Sequence, residues 1–80
     1  MTQIDVIFKA MLENEHKKEW MATDFQSGKY FVGYEATARM SELAKKHPDI
    51  FITGKRGRFR TLALDRTKDL SKYKEYYKLI

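Results

Sequence analysis

Residues 34–64 read Tyr-Glu-Ala-Thr-Ala-Arg-Met-Ser-Glu-Leu-Ala-Lys-Lys-His-Pro-Asp-Ile-Phe-Ile-Thr-Gly-Lys-Arg-Gly-Arg-Phe-Arg-Thr-Leu-Ala-Leu. Ala36, Met40, Leu43, Ala44 and His47 recur at helical spacing and predict a helix over about 34–46. Glu35, Thr37, Ala38, Arg39, Ser41, Glu42 and Lys45 fall on its sides and outer face. Lys45, Lys46 and His47 put positive charge at its C-terminal end, where the helix dipole favours it. Pro48 bars continuation and pushes His47 out of helical geometry. The run Ile50–Thr53 then predicts a strand, Gly54-Lys55-Arg56-Gly57 a turn, and Arg58–Leu64 a second strand. Both parities of that second strand hold apolar residues, so alternation alone leaves the hairpin register open. Lys55, Arg56, Arg58 and Arg60 crowd four cations into six residues at the tip. Like charges so close repel one another unless an anion joins them, although charge also protects an exposed hairpin edge.

Upstream, Ile4, Ile7, Phe8, Met11 and Leu12 form one apolar stripe on a helix of about 3–14, with Thr2 as cap and Asp5 three residues on. Glu13–Glu19 is polar and reads as a loop. Lys18–Met21 reads as a short extended piece with Trp20 in the core. A short helix over about 22–27 points Phe25 inward and stops at Gly28. Downstream, Thr67 is the expected cap of a last helix over about 68–79, whose face Leu70, Tyr73, Tyr77 and Ile80 packs on the domain or mediates dimerisation. The division is thus one domain over 1–66 and a C-terminal helix over 67–80.

Eighty residues make one domain with a thin core. No cysteine is present to form a disulfide or a thiolate metal site. No apolar run approaches the ~20 residues of a membrane span, so no membrane role is expected. The net charge of +5 is uneven: residues 1–28 carry −2, residues 29–66 carry +5 and residues 67–80 carry +2. The excess therefore sits on the predicted helix and hairpin, where positive potential attracts a polyanion such as nucleic acid. Catalytic chemistry finds little support. His16 and His47 lack metal-ligand or triad partners, and Gly54-Lys55 fails the phosphate-loop pattern because no Ser or Thr follows the lysine. The expectation is a non-enzymatic protein without metal or cofactor.

Ala36-Thr-Ala-Arg-Met-Ser-Glu-Leu43 resembles the recognition helix of winged helix-turn-helix proteins, and Phe51-Ile-Thr-Gly-Lys-Arg-Gly-Arg-Phe59 is similar to their wing. The combination looks like the small winged-helix proteins of phages and other mobile elements. The resemblance implies an α+β fold, a three-helix core with a β-hairpin wing at 53–60, and an added C-terminal helix. It implies double-stranded DNA as partner, with contacts from Thr37, Ala38, Arg39, Ser41 and Lys45 in the major groove. Lys55, Arg56, Arg58 and Arg60 would meet the flanking backbone or minor groove. It further implies a transcriptional regulator or accessory factor in the cytoplasm of a bacterial host, with a homodimer as one arrangement. Winged helices also serve as protein-interaction modules or inhibitors of nucleic-acid enzymes, so that alternative stays open.

Overall fold

The computed structural model describes residues 2–26 and 28–79. Three α-helices and one two-stranded antiparallel hairpin make a small α+β domain: α1 (Gln3–Glu13), α2 (Ala36–Lys46), β1 (Phe51–Arg56), β2 (Phe59–Leu64) and α3 (Ser71–Tyr76). A 3-10 turn at Ala22–Phe25 stands where a short helix is expected; Ser27, part of that expected helix, lies outside the described residues.

The start of α1 is fixed by a complete capping box. The Thr2 N–H donates to Asp5 Oδ2 at 3.0 Å, and the Asp5 N–H donates to Thr2 Oγ1 at 3.2 Å. Ile7, Phe8, Met11 and Leu12 bury the predicted stripe, while Ile4 is only half-buried. At the other end, Arg66 Nη2 donates to the carbonyl oxygen of Met11, an acceptor the helix terminus leaves free, and to that of Asn14, which also accepts from the Lys17 N–H. This tie across the chain holds α1 to the segment after the hairpin.

Trp20 is buried and extended, and its backbone exchanges two 2.8 Å hydrogen bonds with Leu62. It therefore adds a one-residue third strand beside β2. Phe25 is fully buried and stacks on Trp20 with centroids 5.1 Å apart. α2 starts two residues later than its periodicity suggests, because Tyr34 and Glu35 form a turn after Gly33. Ala36, Met40 and Leu43 are its buried positions, and α2 packs against α1, the 3-10 turn and β1.

The hairpin turn differs from its expected place. The strands pair Phe51 with Leu64, Thr53 with Leu62, Lys55 with Arg60 and Arg56 with Phe59, so the loop is Gly57-Arg58 rather than Gly54–Gly57. Gly57 has φ +64 at the first loop position, which a two-residue hairpin turn requires for its twist to match the strands. Gly54 lies inside β1 opposite Thr61, where an added Cβ would stand 3.0 Å from Thr61 Oγ1. Its small size there admits the threonine, which is buried.

The C-terminal helix is also shorter than expected, 71–76 against 68–79. Thr67 does not cap it. Asp65 Oδ1 accepts from both the Thr67 N–H and the Thr67 hydroxyl, and Asp69 Oδ1 accepts from the Ser71 N–H at 3.0 Å. These local turns compete with helical bonding across residues 65–70. α3 ends with Lys78 N–H donating to the Glu75 carbonyl (3.0 Å) and Leu79 N–H to the Lys74 carbonyl (2.8 Å), with Lys78 at φ +58. Leu70 is buried in the chain's own core, with Tyr73 and Tyr77 packed against it. Tyr73 and Tyr77 lie 5.2 and 5.6 Å from the Phe8 ring, and the Tyr77 hydroxyl donates to Asp5 Oδ1 at 2.8 Å. That bond, with the two from Thr2, holds the Asp5 carboxyl below its ordinary range; partial burial and Asp5 push the Tyr77 phenol up. Ile80 lies outside the described residues.

His47 closes α2 half-buried among Phe8, Phe51 and Tyr73, with centroids 5.5, 6.3 and 5.3 Å away. Burial depresses its pKa; Lys46 and Lys72 add to that, and Asp49 opposes it. A depressed folded-state pKa means the unfolded chain takes up the proton first. The stabilising contribution is therefore present above the unfolded value of about 6.5 and is lost as pH falls through the folded one. Thermal melts between pH 7.5 and 5 should show Tm dropping on acidification, with a shallower drop in His47→Gln. Parallel profiles for the two proteins would place that titration elsewhere.

Candidate functional site

Thr37, Ser41 and Lys45 stand four residues apart and so share one side of α2. On the hairpin, Lys55 and Arg60 are directly paired and occupy the same face as Phe51, Leu62 and Leu64. Phe51, Leu62 and Leu64 are buried, and the two cations continue their face outward beyond the core. The result is an open groove of about 890 Å³ between α2 and the hairpin. Thr37, Ser41 and Lys45 line one wall, and Lys55, Arg58 and Arg60 line the other. Among the described residues, no acidic side chain lines it.

Three of the expected contact residues lie elsewhere. Ala38 is exposed on α2 but does not line the groove. Arg39 is half-buried and its Nη2 lies 2.7 Å from Glu42 Oε1, one turn along the same helix. Arg56 projects from the opposite hairpin face to Lys55, with its Nε 3.5 Å from Glu19 Oε1. Glu42 is thus taken up by Arg39, and neither Glu42 nor Glu35 faces the groove. Glu42 and Glu19 partly neutralise Arg39 and Arg56, whereas Lys45, Lys55, Arg58 and Arg60 form no ion pair among the described residues.

Sequence reasoning missed the apolar part of the groove. Met21 and Ala22, from the segment around the 3-10 turn, join Met40, Ala44, Leu62 and Phe59. The Trp20–Leu62 pairing brings Met21 there across some forty residues of chain, and helical or strand periodicity carries no such signal. Phe59, set between Arg58 and Arg60, is the one local hint: it is a large side chain 55% exposed beside charges.

The α2 N-terminus carries no side-chain cap; the Ala36 N–H donates to the Gly33 carbonyl at 3.2 Å. Among the described residues, no group of three or more His, Cys, Asp or Glu side chains is placed to hold a metal ion. No described helix is long and apolar enough to cross a membrane. No protein-family model, curated protein or solved structure matches the chain.

Proposed function

We propose that this chain is a winged-helix protein that binds double-stranded DNA, as a regulator or accessory factor of a bacterial mobile element. The observation that carries the reading is the groove: among the described residues it holds four cations without an ion pair and no carboxylate, framed by an exposed helix face and a hairpin. Its element order also suits the fold: α1, the Trp20 strand, the 3-10 turn, α2 and the hairpin. In this reading α2 enters the major groove. Thr37 and Ser41 offer hydroxyls to base edges and phosphates, and the uncapped α2 N-terminus favours a phosphate. Lys45 and the hairpin cations Lys55, Arg58 and Arg60 take the flanking backbone. Arg39 and Arg56 contribute less, because each must first leave its carboxylate.

Four phosphate contacts imply that log affinity falls against log salt with a slope near −3.6. Fluorescence anisotropy of a random duplex of about 20 base pairs tests this at roughly 50 and 200 mM salt, where affinity should fall by about 150-fold. Absence of binding at the lower salt would remove the reading.

A further inference from the structure

The groove contains more than a phosphate backbone uses. Cations and N–H groups suffice for phosphates, yet here they rim an apolar lining. Met40 and Leu62 are core side chains that surface as its floor, and Met21 and Ala44 flank them half-buried. Phe59 stands at the lip, 55% exposed, with Arg58 and Arg60 on either side. Exposed aromatic surface of this kind costs free energy in water and is recovered only against an apolar partner. Two methionines suit that task, since an unbranched thioether side chain adapts to different shapes. The complementary ligand is therefore apolar along its middle and anionic along its margins. An amphipathic helix with that pattern, lying in a groove, meets both demands.

We propose that this groove docks an amphipathic helix of a partner protein whose apolar stripe is flanked by aspartate and glutamate. The stripe covers Met21, Met40, Ala44 and Phe59, and the carboxylates meet Lys45, Lys55, Arg58 and Arg60. Charge complementarity selects the partner, because among the described residues no acid lines the groove to repel it. The inference goes beyond the DNA reading and does not depend on it.

The probe is a labelled, helix-forming peptide of about 18 residues, with Leu at i, i+3, i+4 and i+7 spacing and Glu at the flanking positions. One control peptide replaces each Glu by Lys; another keeps every Glu and replaces Leu by Gln. Anisotropy titration of the full chain should show the first peptide binding at least about tenfold more tightly than either control. Phe59→Ser should weaken it by about tenfold. Ile52→Ser removes a similarly exposed apolar side chain that does not line the groove, and should leave binding unchanged. Circular dichroism confirms that both variants fold. Equal binding of the Gln-substituted peptide would reduce the contact to charge alone and overturn the proposal, as would unchanged binding to Phe59→Ser. Peptide binding without duplex binding removes the DNA reading and leaves this one; duplex binding without peptide binding does the reverse.

Discussion

Replacing Lys55, Arg58 and Arg60 together by alanine should lower affinity for a random duplex by about 10³-fold near 50 mM salt, and make the salt slope shallower by about 2.7. Each cation that neutralises a phosphate releases condensed counterions, and that gain is largest when bulk salt is dilute. The effect should shrink as salt rises, which separates it from unfolding. The three side chains are exposed near the hairpin tip and hold no internal ion pair among the described residues, so the fold should tolerate their loss. Arg56→Ala provides the contrast. Its guanidinium already lies near Glu19, so its removal also frees a carboxylate and changes little charge at the groove. Superimposable binding curves for the triple variant and the parent would show that the hairpin does not face DNA.

Phe25→Ala should remove most of the protein's stability. Phe25 is fully buried, it stacks on Trp20, and its carbonyl accepts from the Val32 and Gly33 N–H groups. Truncating a buried phenylalanine costs about 3–5 kcal/mol. A domain of this length holds roughly 4–12 kcal/mol in total. At about 4–8 °C per kcal/mol, Tm should fall by roughly 12–40 °C, measurable by circular dichroism. Phe25→Leu keeps most of the volume and should cost much less. The consequence reaches the groove, since the turn that Phe25 anchors also supplies Met21 and Ala22 to its wall. An alanine variant melting within a few degrees of the parent would mean that the core closes over the gap.

Local physics made much of this fold readable. The Thr2–Asp5 box, the α1 stripe, the Pro48 stop after α2 and the two strand runs all depend on near neighbours, and each element appears, although β1 runs three residues beyond its expected end. The errors fall where two local choices compete. Gly54 and Gly57 both suit a turn, and only the pairing of Phe51 with Leu64 decides between them. Thr67 suits a helix cap, but Asp65 captures its N–H and hydroxyl first. The candidate site was half legible. Its cations cluster in sequence, whereas the Glu19 partner of Arg56 and the Met21 wall arrive from the first third of the chain. The Arg39–Glu42 pair lay within reach of helical spacing, since the two residues are three apart on α2.

The pairing of Trp20 with Leu62 also gives the molecule an optical handle. Trp20 is the chain's single tryptophan. Its indole is shielded from water against Phe25, and its backbone is bonded to the strand whose Leu62 floors the groove. Its emission therefore originates from one environment, at the junction of the 3-10 turn and the hairpin. A red shift reports separation of those two pieces, and a change in intensity without a shift reports an altered contact that leaves the indole dry. The unlabelled protein can thus signal strain at its own groove.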